Sequence, residues 1–162
     1  MKVALVYPRW QWYEYNGLAE PVGVLHLVSA LRNAGHEPVY MDYSSCVKIT
    51  DIDHLARGCD LVGIAISAAA KMGRARDVLT HLRTVVPDAH FTVGGAYPSI
   101  FPGQSINDTG ADSALVGEAE EAIVELADTL SKGGDWRSIR NMAYPVEGGF
   151  TENPRRPVIP QP

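Results

Sequence analysis

Short apolar runs that alternate with amphipathic segments leave this chain few ways to fold. KVALVY (2–7), EPVYMD (37–42), DLVGIAIS (60–67), HFTVGG (90–95) and SALVG (113–117) read as strands. Between the first two, Val24, Leu27, Val28 and Leu31 recur at i, i+3, i+4 and i+7 within residues 22–34, the period of a helix with one buried face. Gly35 suits its C-cap. Ala75, Val78, Leu79, Leu82 and Val86 repeat the pattern until Pro87, and Ile123, Leu126, Ala127 and Leu130 carry it once more. DIDHLARG (51–58) is a weaker helical piece. Strands that are apolar almost throughout, each followed by a helix, belong in a parallel sheet covered on both faces. Right-handed crossovers then predict an α/β, doubly wound, Rossmann- or flavodoxin-like sheet of five parallel strands in the order 2-1-3-4-5, with helices on both faces.

Residues 1–132 are the expected domain, and 133–162 the expected linker or tail. That last segment holds five of the eleven prolines and four glycines, with a short hairpin predicted across Gly148 and Gly149. Its arginines and prolines suit a segment that lies on another surface. A chain of 162 residues is long enough to bury one core without a metal or disulfide. Cys46 and Cys59 form no CxxC pair, and MKVALVYP has too short an apolar core for a secretory leader, so a reducing cytoplasm is expected. The net charge of −5 argues against a general nucleic-acid binder, because phosphate contacts need a basic face. No apolar run approaches the ~20 residues of a membrane-spanning helix.

In doubly wound sheets ligands bind beyond the carboxyl ends of the strands, at the switch point. Here those ends are YPRWQW, SAAAKMG, GGAYPS and GEAEE. Their chemistry is small and mostly uncharged: Gly94 and Gly95 remove side chains where a flat ligand could approach the backbone, and Ser67, Ala68, Ala69 and Ala70 extend the same slot. A dinucleotide fingerprint is missing from the first turn. So are the Ser, Thr and Gly of a phosphate-gripping flavin loop and the acidic residues of a phospho-accepting receiver. The crevice is shaped for something large and apolar.

PVGVLHLVSALRNAGHEPVYMD, DLVGIAIS, VGGAYPS and ADSALVGEAEEAIVELADTL, in this order and spacing, resemble the cobalamin-binding domain that precedes the catalytic domain of cobalamin-dependent radical SAM enzymes. The likeness runs from Lys2 to about Leu130, and SIRNMAYPVEGGFTENPRRPVIPQP is similar to the linker into the radical SAM barrel. The resemblance implies base-off cobalamin, with its dimethylbenzimidazole tail threaded between the strand ends and lined by Ser67, Gly94, Gly95, Tyr97, Pro98, Gly117 and Glu118. Burying a ring of aromatic size, ~150–250 Å², supplies at most about 4–6 kcal/mol. Gly94→Val or Gly95→Val is therefore predicted to abolish binding by filling the channel.

Two motifs of related proteins are missing. In methionine-synthase-like cobalamin proteins a DxHxxG after the first strand gives a histidine to cobalt; DIDHLARG has the wrong spacing and lies between the second and third strands. His26, His36 and His81 read as surface or helix-end residues. A radical SAM centre needs CxxxCxxC to hold an iron–sulfur cluster, and this chain has none, so it is expected to bind a cofactor without turning over substrate. Glu118, Glu120, Glu121 and Glu125 are better explained by a helix start, which favours acids through its dipole, than as metal ligands.

The leading expectation is a cobalamin-binding module that serves a radical SAM methyltransferase-like partner, as a covalent domain or separate subunit. A free-standing cobalamin carrier or sensor is the alternative, and a doubly wound domain with a purely structural crevice is the plainest one. The loop YPRWQWYEYNGLAEP carries five of the thirteen aromatic residues within nine positions. Those rings either pack on the first helix or cover the cofactor, and the latter assigns Trp10, Trp12 and Tyr13 to the corrin edge or its unligated face, with Gly17 and Leu18 of the same loop beside them.

Overall fold

The computed structural model describes residues 1–8, 21–43 and 48–157. Strands β1 (Lys2–Tyr7), β2 (Glu37–Asp42), β3 (Leu61–Ala65), β4 (His90–Gly94) and β5 (Ser113–Leu115) are parallel, and β6 (Met142–Val146) and β7 (Gly149–Glu152) are antiparallel additions. Among the described residues the sheet therefore has seven strands, in the order β2-β1-β3-β4-β5-β6-β7, where five were expected. Both extra strands come from the segment read as a tail. Pro145 interrupts MAYPV and speaks against a strand there; only Met142 and Ala143 are fully buried, and they pair with Leu115 and Ala114.

Helices α1 (Val22–Asn33), α2 (Met72–Val85), α3 (Ala96–Ile100), α4 (Pro102–Thr109) and α5 (Glu120–Ser131) connect the strands. Residues 51–58 form short 3-10 turns in place of a helix. Along β1, side chains alternate between two cores: Val3 and Leu5 face α1 and α5, while Ala4 and Val6 join the core that holds Val78, Leu79 and Leu82 of α2. This two-sided burial is what the continuous apolar strands require. Gly103 of α4 is packed under the Phe150 ring of β7; a Cβ there would stand 2.3 Å from it. Among the described residues no helix is long and apolar enough to cross a membrane.

At the amino end of β4, His90 Nε2 lies 2.9 Å from Ser113 Oγ and its ring meets Trp136 edge-on at 4.6 Å. Burial pushes its pKa down from 6.5 to about 4. The unfolded chain thus takes up a proton near pH 6.5 that the folded one refuses until about pH 4. Stability is complete above the first value and falls as pH drops toward the second, by about 2–3 kcal/mol. Asp53, held below 3.8 by its hydrogen bond from His81, loses its contribution only in stronger acid. Urea titrations between pH 7 and 4 should show the decline, and His90→Gln should flatten it; an unchanged slope in that variant would assign the decline elsewhere.

Candidate functional site

A cavity of about 600 Å³ opens at the carboxyl end of the parallel strands, between the sheet and the α1–α5 layer. Its walls are Leu5, Val6 and Tyr7 of β1, Val24 and Leu27 of α1, Ile64 and Ala65 of β3, Leu115 of β5, and Ala119 and Ile123 on the approach to and within α5. Gly63 and Thr92, paired across β3 and β4, lie below the strand ends and give the cavity its depth. The volume falls within the ~300–1,000 Å³ usual for small-molecule sites.

Of the residues singled out from sequence, Ser67, Gly94, Gly95, Gly117 and Glu118 all line this cavity. Ala68, Ala69, Tyr97 and Pro98 are not among the lining residues. Tyr97 sits on α3, packs against the opposite core and meets Phe101 at 5.2 Å, because the helix that begins after Gly95 carries its side chain away from the slot. Trp10, Trp12, Tyr13, Gly17 and Leu18 lie outside the described residues.

The two adjacent glycines do different things. Gly95 has φ 106° and ψ −170°, a region essentially reserved for glycine, and a Cβ would stand 2.9 Å from the Ile66 carbonyl oxygen. That close approach lets Tyr97 N–H donate to Ile66 O at 3.1 Å, next to the Ile66 N–H bond to Gly94 O at 2.7 Å. Gly94 has room: a Cβ there would meet Leu115 at 3.6 Å, ordinary contact. Gly95 is thus needed by the backbone, and Gly94 keeps the cavity wall thin.

Sequence reasoning missed the clamp that holds these turns together. Ser99 Oγ donates to Gly95 O and accepts from Gly117 N–H, both at 2.8 Å, which ties the turn after β4 to the turn after β5. Arg155 Nη2 donates to Ser99 O at 3.0 Å. Buried Asn141, at φ 64°, donates from Nδ2 to Val116 O at 2.7 Å and Glu118 O at 3.3 Å. Its Oδ1 accepts from Arg156 N–H at 2.7 Å. The Arg156 guanidinium in turn pairs with Glu121 at 3.1 Å and with Glu125. Those two acidic residues therefore have an arginine partner, and Glu120 and Glu121 occupy the first turn of α5 where the helix dipole favours them. Among the described residues no group of three or more His, Cys, Asp or Glu could hold a metal ion.

All five histidines fall in the described segments, and none lines the cavity. His26 is exposed on α1, 3.8 Å from Glu120. At the mouth, the ammonium of buried Lys71 lies 3.9 Å from the centre of the Tyr7 ring, a contact of the cation–π kind.

An apolar, glycine-thinned slot of this size has room for a flat heterocycle along the sheet face. Residues 14–127 match the B12 binding domain family. The chain belongs to that family. The B12-binding domain is 26% identical over 142 residues to an uncharacterized methyltransferase of Pyrococcus horikoshii, covering 86% of this chain and 31% of the relative. Its fold is similar to that of the radical S-adenosylmethionine methyltransferase TsrM from Kitasatospora setae, solved with cobalamin and a [4Fe-4S] cluster: TM-score 0.81, 23% identity, 99% of this chain and 30% of that one. It is also similar to the cobalamin-dependent S-adenosylmethionine radical enzyme OxsB with aqua-cobalamin bound: TM-score 0.82, 18% identity, 97% and 22%. The B12-binding domain spans less than a third of each of these proteins.

Proposed function

We propose that this chain binds cobalamin base-off, with the dimethylbenzimidazole tail in the cavity and no protein histidine on cobalt, and that it serves a radical SAM methyltransferase-like domain or subunit. The supporting observation is the cavity itself: apolar, about 600 Å³, placed at the strand ends and lined by no histidine. Cobalamin in such a site supplies a cobalt centre able to carry a methyl group. The chain's own residues hold and orient it. Leu5, Val24, Leu27, Leu115 and Ile123 exclude water from the tail, while Gly94 and Gly63 leave the thickness of a ring. Ser99 and Asn141 fix the two turns that frame the entrance. The missing CxxxCxxC motif assigns radical generation to the partner, and a cytoplasmic setting fits the cysteine usage.

Mixing the purified protein with hydroxocobalamin, removing free cofactor on a desalting column and recording the visible spectrum tests this directly. A coloured protein fraction with base-off absorption is expected. A colourless fraction would overturn cobalamin binding, and a spectrum shifted by His26→Ala would overturn the histidine-free assignment.

A further inference from the structure

The cavity's lining is apolar except at a few positions, and those positions are not equivalent. Ser67 and Glu118 are exposed at the mouth. Ser99 is committed in both directions, to Gly95 O and from Gly117 N–H. Thr92 differs: it is 1% exposed, lines the floor, and among the described lining residues it is the buried side chain that carries a polar atom. A threonine there interrupts a row, Leu5–Gly63–Thr92–Ser113, that runs side by side across β1, β3, β4 and β5.

Behind Thr92 runs a directed chain of hydrogen bonds. Ser113 Oγ donates to Thr92 Oγ1 at 2.9 Å. A hydroxyl has a single proton to give, so the 2.9 Å contact between Ser113 Oγ and His90 Nε2 is donated by the imidazole. Both donors point toward Thr92, which polarises its own O–H. That proton goes to Ser113 O at 3.3 Å, longer than the ~2.7–2.8 Å preferred between oxygens. A hydroxyl hydrogen turns freely about its C–O bond, so the Thr92 donor is the least committed polar group on the floor of an otherwise apolar slot.

We infer that Thr92 is a specificity-determining residue for the lower base of the bound cobamide, donating a hydrogen bond to the unprotonated ring nitrogen that a benzimidazole-type base exposes when it leaves cobalt. This rests on the base-off reading of the cavity. Without such a donor the nitrogen would enter an apolar slot unpaired, which is costly. A cobamide whose lower group is a phenol has no such acceptor and gains nothing from the threonine. The site therefore selects cobamides with a nitrogenous lower base.

The experiment compares hydroxocobalamin with a phenolyl cobamide on the wild-type chain, Thr92→Val and Thr92→Ser, by spectroscopic titration. Pulling the benzimidazole off cobalt costs the same in every variant, so the ratio of the two affinities isolates the residue. Thr92→Val is expected to lower the preference for hydroxocobalamin about 3- to 10-fold relative to wild type, the range of one net hydrogen bond, and Thr92→Ser to restore it. An unchanged ratio in a folded Thr92→Val protein would overturn the inference while base-off binding stood. Binding of neither cobamide by the wild type would instead overturn the cobalamin reading. Should Thr92→Val fail to fold, hydroxocobalamin labelled with nitrogen-15 in its lower base decides on the wild type alone. The unligated ring nitrogen should resonate upfield of the same nitrogen in the unprotonated lower-base nucleoside dissolved in an aprotic solvent, where it has no donor, and coincident shifts would sink the inference.

Discussion

Gly95→Ala is expected to lower the melting temperature by about 6–20 °C, whereas Gly94→Ala, one residue away, should leave it nearly unchanged. The strain of a side chain at φ 106°, ψ −170° is of order 1–3 kcal/mol, and crowding at 2.9 Å from the Ile66 carbonyl oxygen adds roughly 1–3 kcal/mol. A loss of about 3–5 kcal/mol in a chain of this length converts to that temperature range at ~2–4 °C per kcal/mol. At Gly94 the new Cβ meets Leu115 at 3.6 Å, within ordinary contact, so the fold should tolerate alanine. Gly94→Val then becomes the informative variant for binding, because its methyl groups enter the cavity without a backbone penalty. It should keep a near wild-type melt and lose cobalamin affinity at least about 5-fold, the lower end of what overpacking costs. If Gly94→Val bound as tightly as wild type, the ring would have to lie elsewhere. The pair separates a glycine kept for the chain's own path from one kept for a guest.

How much of this was legible in the sequence depends on what made each feature. β1, β3, β4 and β5 announce themselves because both faces are buried, so apolar residues dominate them, whereas β2, at the sheet edge, buries only Met41. The helices at 96–100 and 102–109 carry no such signal: AYPSI and PGQSINDT are too short to show a period and contain Pro98, Pro102 and Gly103, although Pro102 at the first turn of α4 suits a helix start. The β6–β7 hairpin was readable from Gly148, at φ 80°, yet its pairing with β5 was not. That pairing depends on Asn141 reversing the chain and bonding to a turn 25 residues away, which no local pattern records.

The site divides in the same way. Gly95 and Gly117 are visible in the sequence because positive-φ backbone demands glycine, and Gly94 because a strand end without a side chain leaves the cavity wall thin. Thr92 was passed over as an ordinary strand residue, since its importance comes from Gly63 beside it and the Ser113–His90 chain behind it. Gly63 itself left a trace: glycine inside a strand marks a close approach, and here a Cβ would stand 3.0 Å from Leu5 Cδ2. Tyr97 and Pro98 show that nearness in sequence to the glycines does not place a residue on the cavity wall. They follow the glycines in sequence, but a helix begins at Ala96, which buries Pro98 and packs Tyr97 against the other core.

Asn141→Ala is the substitution expected to cost most outside the glycine turns. Three effects add. Alanine at φ 64° is disfavoured by roughly 1–2 kcal/mol. Val116 O loses the 2.7 Å bond from Nδ2, and Arg156 N–H loses the acceptor it reaches at 2.7 Å; an unsatisfied buried group costs about 1–3 kcal/mol. Neighbouring contributions overlap, so the expected total is about 3–5 kcal/mol. Asn141→Gly removes the backbone strain and keeps the lost hydrogen bonds, and should recover about 1–2 kcal/mol of that total. The functional consequence follows from position. Val116 and Glu118 flank Gly117, whose N–H is held by Ser99 at 2.8 Å, so loosening Asn141 frees the turn after β5 that frames the cavity. Amide exchange at Gly117 and Glu118 should accelerate in both variants, while exchange in β1 and β3 should remain slow in Asn141→Gly. Cobalamin affinity should fall in step with the exchange at that turn and not with global stability. Equal slowing or quickening of every amide would instead mean that Asn141 serves the fold as a whole. The segment read from composition as a tail is, through this one asparagine and the arginines beside it, part of the frame of the site.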